Sequence, residues 1–465
     1  MTRELPAPFL EQMKVLLGAE YHAWFASFAE NGRPGLRINT LKLDRHAWET
    51  ISPYGTEAIP WTANGYFYQH DDSPAKDVYY AAGLYYLQEP SAMTPAQLLP
   101  VRPGDRVLDL CAAPGGKSTE LGARLQGKGL LVSNDISASR AKALLKNIEL
   151  SGIANICVTS EAPDKLADTF GAFFDAVLVD APCSGEGMFR KDPGLIKEWL
   201  KHGPDYYAPL QQEILQQAVR MLKPGGYLLY STCTFSPVED ENVIHRLLHE
   251  EPQMETVPLE LFEGAAAGIN GEPVLRLFPH KISGEGHFVA LLRKRALADS
   301  EYPGKPPVSD ESGGKSRNKT AETLKQETDF PEFARSLNRS FEPERLFLKQ
   351  DCLYYLPEGF SAHWKLRYLR TGLLLGEFKR GRFSPSQALA MALKKTDFHS
   401  VVSFSRDDER TIRYLKGETI ALKADEPAVK GWCLVCVGEF PLGWAKGNGD
   451  MLKNKYYPGW RRQGG

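Results

Sequence analysis

The sequence predicts an α/β fold around a mostly parallel sheet, with a small α+β domain before it and a further region after it. Three observations predict it. From residue 105 onward, short continuous apolar runs alternate with stretches of helical periodicity, the pattern of parallel strands covered on both faces. Several of these runs end in small or polar residues, and the carboxyl ends of strands are where open α/β sheets bind ligands. Outside this block the pattern changes, to a half-buried strand near the N-terminus and to mixed helical and strand-like pieces near the C-terminus.

In chain order, residues 7–29 carry apolar positions at helical spacing (Phe9, Met13, Leu16, Leu17, Tyr21, Phe25) and predict one amphipathic helix. Residues 34–43, PGLRINTLKL, alternate apolar and polar side chains as a half-buried strand does. With LYYLQEPSAM at 84–93 they make the α+β domain, residues 1–95. The central domain, 96–298, has strands in DRVLDL (105–110), LLVSND (130–135), ICVTSE (156–161), FDAVLVDAP (174–182) and YLLYSTC (227–233). Helices are predicted from Lys117, through SRAKALLKNIELSG and over 208–222, and HFVALLRK (287–294) predicts a late strand. Residues 299–328 exchange the apolar pattern for Pro, Gly, Ser and charge, the composition of a solvated linker. The C-terminal region, 329–465, includes a helical SPSQALAMALKK (384–395) and a strand-like GWCLVCVGEF (431–440).

The 465 residues are 42% hydrophobic and 25% charged, an ordinary globular mixture spread over several domains. The net charge of −2 gives the whole chain no nucleic-acid signature, so any basic surface must be local. No apolar run is long enough to span a bilayer, and the N-terminus carries charges where a signal peptide needs an apolar core. A cytoplasmic protein without membrane contact is expected. Seven scattered cysteines fit reduced thiols rather than a disulfide framework.

VLDLCAAPGGKST (107–119) is a strand, a small-residue loop and a helix start. Gly115 and Gly116 let backbone amides approach a ligand closely. A phosphate loop is the nearest competing reading, since Gly116-Lys117-Ser118 fits its end and AVLVD resembles a magnesium-holding strand. Cys111 stands where that loop needs its first glycine, however, and Pro114 stiffens the segment that would wrap phosphate. The nicotinamide fingerprint is absent too. S-adenosylmethionine, with a ribose diol and no phosphate, fits better. It needs a glycine turn after the first strand and a carboxylate after the second, which Asp135 supplies. Asp135 also stands where a helix N-cap would, before ISASRAK; beside the glycine loop, ribose binding is favoured. Glu161, after the third strand, is in a position to face adenine.

Two thiols follow consecutive strands: Cys183 in DAPCSGEGMFRKDP and Cys233 in STCTFSPVEDEN. Consecutive strands often neighbour each other, which would bring both thiols to one cleft. Most cysteines are small buried hydrophobes, but these two sit among Ser, Thr, Gly and Pro. Neither has a C-x-x-C partner or a nearby His pair, so no metal is expected. The one C-x-x-C, Cys433 to Cys436, lies in an apolar strand where residues three apart face opposite ways, and reads as core packing. Cys111, Cys157 and Cys352 read as packing or loop residues, without chemistry of their own.

A reactive thiol beside a carboxylate suits methyl transfer to C5 of cytosine. That carbon is a poor nucleophile. A thiolate adding at C6 makes an enamine whose C5 attacks a sulfonium methyl; loss of the C5 proton then releases the thiol. A carboxylic group to hold N3 or N4 and a second group to assist proton removal or release complete the requirement. Asp180, Cys183 and Cys233 are of those types. Chemistry alone leaves open which thiol attacks.

LDLCAAPGGKS, VLVDAPCSGEGMFRKDP and LLYSTCTFSPVEDENVI, in this order, resemble the Sun-type RNA cytosine-C5 methyltransferase family. GLRINTLK, LQEPSAM and RLFPHKISGEGHFVALLRK extend the resemblance over roughly residues 30–295, and GEGMFRKDP with the C-terminal tail resembles the bacterial 16S rRNA methyltransferase F group. The resemblance implies a Rossmann-like methyltransferase core, an RRM-like N-terminal domain and a C-terminal RNA-binding region with a PUA-like barrel. It gives the attack to Cys233 and release of methylated RNA to Cys183. It places Cys111, Ala112, Ala113, Pro114, Gly115, Gly116, Lys117, Asp135, Glu161 and Asp180 around S-adenosylmethionine. It also implies 16S rRNA or the small ribosomal subunit as partner, and a monomer is expected.

The target base must leave its stack to reach a thiol in a cleft. Lys446, Lys453, Lys455, Arg461 and Arg462 stand against a single acid, Asp450, among Tyr456, Tyr457 and Trp460; cations beside aromatics suit RNA backbone and base contacts. KRGRFSP (379–385), FRK (189–191), Arg33 and Arg37 extend the expected track. The alternatives are 5-methylcytosine formation in tRNA, a non-catalytic ribosome assembly factor and a phosphate-loop ATPase. Intact thiols and an intact glycine loop count against the assembly factor.

Overall fold

Strands buried on both faces have no polar alternation, and the central runs are of that kind. The structure, a computed structural model, describes residues 5–296 and 329–462; the linker expected over 299–328 lies outside them. Five strands run parallel: Arg106–Asp109, Leu130–Asn134, Ile156–Thr159, Phe174–Asp180 and Leu222–Thr232. Their spatial order is third, second, first, fourth, fifth. The order reverses between the first and the fourth, so the loops after those two strands diverge and open a crevice over their carboxyl ends.

Side chains alternate between the two faces. Leu108, Val177 and Leu228 belong to one core, under the helix Pro204–Met221; Val107, Leu178 and Leu229 belong to the other, under Gly116–Leu125 and Ala138–Ser151. Antiparallel strands close both edges of the sheet. His287–Lys294 pairs with the fifth strand, and Leu275–Leu277 and Ala265–Ala267 lie beyond it. At the opposite edge Tyr368–Thr371 pairs with the third strand. That strand comes from the C-terminal region, so no single stretch of chain builds the sheet.

The helix expected over 7–29 is two helices, Ala7–Leu17 and Tyr21–Ser27, parted at Gly18, whose φ is 52°. The break changes the phase of the apolar stripe: Trp24 is fully buried, whereas Phe25 is 43% exposed. The strand expected over 34–43 spans only Gly35–Ile38. Asn39 ends it by donating its side-chain amide to the carbonyls of Gly83 and Ser151 at 2.9 and 2.8 Å. This strand lies between Gly65–Phe67 and Tyr85–Leu87.

The C-terminal region holds two further sheets. One is an antiparallel set, Leu346–Lys349, Cys352–Tyr355, Leu373–Lys379 and Arg382–Pro385. The other orders Val401–Phe404, Val429–Val437, Phe440–Gly449, Met451–Asn454 and Ile420–Ala421. In its second strand Cys433 and Cys436 are both fully buried, in different cores on opposite faces, as strand geometry requires. No helix among the described residues is long and apolar enough to cross a membrane.

Candidate active site

The fourth and fifth parallel strands pair with Asp180 opposite Ser231, so the segments that follow leave the sheet side by side. The Sγ atoms of Cys183 and Cys233 are 3.4 Å apart. Hydrogen bonds clamp the segments together, among them Ser184 Oγ with Thr234 Oγ1 at 2.8 Å, Gly187 N donating to Cys233 O at 2.9 Å and Phe235 N donating to Glu186 Oε2 at 3.0 Å. Three consecutive acids then tie this region to its neighbours, Asp240 and Glu241 sharing Arg276. Glu239 accepts from Ser184 N at 2.9 Å, from Ser184 Oγ and from Gln211 Nε2 at 2.8 Å, while Gln211 also donates to Pro182 O. Asp240 accepts from Thr232 Oγ1 at 2.7 Å, and Glu241 pairs with buried Arg276. Burial raises the Glu239 carboxyl to about 7. The hydrogen bond with Cys233, and then burial, push the Cys183 thiol well up, so Cys183 holds its proton beside Cys233.

Asp180 lies at the end of the same strand that leads to Cys183. Lys117 Nζ donates to its Oδ2 at 2.6 Å and Ser231 Oγ to its Oδ1 at 2.7 Å; His287 Nε2 stands 3.5 Å from Oδ1. Burial by itself would raise its pKa, but Lys117 and His287 outweigh that and hold the carboxyl well below the usual range. Asp180 is therefore an ionised acceptor. Lys117 does more than open a helix, since it is the counter-charge of Asp180.

On the glycine side, Gly115 has φ 114°, a region that favours glycine, and the helix Gly116–Leu125 starts directly after it. A Cβ at Gly116 would lie 3.0 Å from Gln88 Nε2, so the N-terminal domain closes against the loop. Arg140 and Asn147 donate to the Ala113 and Pro114 carbonyls, each at 2.8 Å. Ala112 and Ala113 are buried and Pro114 is exposed; Cys111 is half-buried, and burial pushes its thiol up, which suits packing and not attack.

Asp135 is 2% exposed. Its Oδ1 accepts from Ser137 N at 2.9 Å; its Oδ2 makes no hydrogen bond and has the Arg140 guanidinium near it, 3.5 Å away. The cap of the following helix is Ser137. A buried carboxylate oxygen with a long ion pair and no hydrogen bond is under-satisfied, and a hydroxyl of a ribose diol would complete it. Asp109 repeats the pattern: Ser118 Oγ donates to Oδ2 at 2.6 Å, Oδ1 has no partner, and burial raises the carboxyl to about 7. Glu161 is also buried, but its carboxylate accepts from the amide and the guanidinium of Arg367, at 2.7 and 3.1 Å.

The expected RNA track divides. Arg37 is buried, bonding Gln88, Thr119 and Glu120, and so ties the N-terminal domain to the central one. Arg190 is buried on Glu285 and on the Ser27 and Gly284 carbonyls. Both are expected at the RNA surface and are instead internal ties, because each meets a buried carboxylate and reaches across the boundary between the N-terminal and central domains, Arg37 through Glu120 and Arg190 through the Ser27 carbonyl. Tyr456 is likewise buried, and Arg462 donates to the Asp77 carbonyl. Arg33 is paired with Glu57. Lys446, Lys453 and Lys455 are exposed, and Lys446 lies over the Trp432 ring. Burial, then Lys453, Lys446 and Lys379, lower the pKa of Lys455, which shows that lysines of both C-terminal sheets share one surface.

Three further residues have evident roles that the sequence motifs do not mark. Asn134 bonds the Glu161 backbone in both directions and the Leu110 carbonyl, fixing the ends of three strand-loop junctions. His287 opens a strand whose next five residues are apolar, and that polar start is a readable signal. Arg367 has no local signal at all.

The reversed strand order, the glycine corner and the paired thiols over one crevice define a Rossmann-like methyltransferase. Family models match four consecutive stretches. They are the N-terminal domain of 16S rRNA methyltransferase RsmF (5–90), 16S rRNA methyltransferase RsmB/F (96–293), the RsmF rRNA methyltransferase first C-terminal domain (332–393) and the methyltransferase RsmF PUA domain (401–462). Ribosomal RNA small subunit methyltransferase F of Erwinia tasmaniensis is 33% identical over 97% of this chain and 95% of its own length. The protein of the same name from Shigella boydii is also 33% identical, with the same coverage. A methyltransferase homologue from Pyrococcus horikoshii of known structure is 27% identical, with TM-score 0.54, over 62% of this chain and 94% of its own. NSun6 of that organism, solved with SFG, shares the fold at 22% identity and TM-score 0.55, over 63% of this chain and 99% of its own. The chain belongs to the ribosomal RNA small subunit methyltransferase F family.

Proposed function

We propose that this chain methylates C5 of a cytosine in 16S rRNA, using S-adenosylmethionine, through a covalent bond between Cys233 and C6. The observation that carries the proposal is the 3.4 Å approach of the two thiols beside an ionised carboxylate, Asp180. When bound, the cofactor supplies an electrophilic methyl group on a sulfonium. The glycine corner at 115–116, the Asp135 oxygen that makes no hydrogen bond, and the loop from Cys111 to Lys117 are the groups that would hold it. Glu161 contributes from the third strand.

Cys233 Sγ bonds C6, and the displaced π electrons make C5 a nucleophile toward the methyl. Asp180, kept ionised by Lys117 and His287, accepts a hydrogen bond from the exocyclic amine and orients the base. After transfer, a solvent water takes the C5 proton, the C–H electron pair re-forms the C5–C6 double bond, and the S–C6 bond breaks with its electrons returning to Cys233 as thiolate; Cys183, next to the leaving sulfur, assists that release. The lysine surface of the C-terminal sheets would hold phosphates while the base is flipped out. In this division, residues 1–95 and 329–465 serve RNA and 96–298 serve chemistry, in a cytoplasmic monomer.

The test incubates the chain with labelled S-adenosylmethionine and either 16S rRNA or 30S particles, reading 5-methylcytosine at base resolution. Cys183→Ala should accumulate a protein–RNA adduct that survives denaturant, and the added Cys233→Ala change should abolish it. Normal methylation by Cys233→Ala would overturn the mechanism; methylation of tRNA alone would overturn the substrate.

A further inference from the structure

We propose that Arg367, from the C-terminal region, is a positioning residue for the cofactor, so that the far end of the chain sets methyl-donor affinity. The proposal rests on the S-adenosylmethionine reading of the crevice. Its basis is the edge strand Tyr368–Thr371, which pairs antiparallel with Ile156–Thr159 in the central sheet. Anchors hold this strand on both sides. Gly372 N donates to Ile156 O at 2.7 Å, and Trp364 packs edge-on against Phe170 and Phe173 at centroid distances of 4.8 and 5.2 Å. The segment is therefore part of the central domain's wall.

Arg367 immediately precedes that strand, at the carboxyl end of the third parallel strand, the end at which the crevice lies. Its amide and guanidinium both bond the Glu161 carboxylate, which is 6% exposed, while its own side chain is 69% exposed. Ser160 links the neighbouring loops, donating its amide to Arg367 O at 3.0 Å and its hydroxyl to Ile136 O at 3.3 Å. Ile136 directly follows Asp135 and is 65% exposed, an apolar side chain left open beside the carboxylate whose Oδ2 makes no hydrogen bond. The Glu161 backbone is bonded to Asn134, the residue before Asp135. Arg367 thus fixes Glu161 within the same hydrogen-bonded unit that presents Asp135 and Ile136. A planar guanidinium on one flank and an apolar side chain on another suit a flat heteroaromatic ring such as adenine.

The experiment measures equilibrium binding of S-adenosylmethionine to the full chain by titration calorimetry, with thermal melting in the absence of cofactor and rRNA affinity as companion readouts. Arg367→Ala keeps the backbone bond to Glu161 but loses the guanidinium. It should weaken cofactor binding about tenfold, the scale of one charge-assisted hydrogen bond, and raise the cofactor KM with kcat nearly unchanged. Melting and rRNA affinity should stay as in the parent. Arg367→Lys should restore part of the affinity, and Arg367→Ala combined with Glu161→Gln should lose less than the sum of the two. Unchanged cofactor affinity in Arg367→Ala overturns the inference, as does a loss matched by equal losses in melting and rRNA binding. If the parent chain binds no S-adenosylmethionine, the methyl-donor reading itself fails and this inference falls with it.

Discussion

Two pairs of cysteines in this chain behave in opposite ways. Cys433 and Cys436 are three residues apart and sit in different cores, both fully buried. Cys183 and Cys233 are 50 residues apart and bring their sulfurs to 3.4 Å. Burial raises both members of the first pair to about 12, leaving inert thiols with apolar neighbours. The second pair sits where two parallel strands end, among hydroxyls and carboxylates that fix each loop. Spacing along the chain says little about thiol chemistry; the end of a strand, with polar groups to orient the sulfur, says much more.

Removing the sulfurs one by one tests this contrast most severely. Cys233→Ala should lose methyl transfer by several orders of magnitude, and Cys183→Ala should turn over poorly while retaining attack, read as a denaturant-stable adduct. Changing Cys433 or Cys436 to Ala should leave methylation per folded molecule unchanged. Glu239 comes next, because it holds the Cys183 loop. Glu239→Ala should slow turnover about tenfold or more, since a hydrogen bond to a charged group is worth about 1.5–3 kcal/mol, and should shift the balance toward trapped adduct.

Among smaller effects, Lys453→Ala and Lys455→Ala should each reduce the slope of log affinity for rRNA against log salt by about 0.9, with cofactor affinity unchanged. Cys433→Ser places a hydroxyl in an apolar core and should cost about 1–3 kcal/mol in denaturant unfolding, whereas Cys183→Ser, among hydroxyls, should cost less. The smallest signal is pH-dependent. Glu239 is raised from 4.5 to about 7 in the folded chain, so the folded state binds that proton more tightly than the unfolded state does. Its contribution is fully present below about pH 4.5 and lost as pH rises through about 7. Glu239→Gln cannot titrate, so the stability of the parent relative to this variant should fall across that window; a flat difference would mean the carboxyl is ionised throughout.

Much of the candidate site was legible because its residues share one local signature, an apolar run that stops at polar or small residues. That signature marked Cys183, Cys233, Asp135 and Asp180. It failed for Arg37 and Arg190, whose charge suggested solvent and RNA. Burial is a property of what lies opposite, and each of them meets a carboxylate, Glu120 or Glu285, from a distant segment. It failed also for Arg367, whose partner Glu161 lies 206 residues earlier. The long helix expected at the N-terminus failed for a local reason: Gly18 takes a left-handed conformation that apolar spacing does not reveal.

The sequence by itself determined which segments would be strands buried on both faces and which side chains would cluster at their ends, because apolar patterning and strand geometry act over a few residues. Only the tertiary structure decided that two thiols share one cleft, that Lys117 and His287 keep Asp180 ionised, and that the C-terminal region supplies the last strand of the central sheet. Those outcomes depend on strand order and on charges brought together across domains, and no short window of residues encodes either.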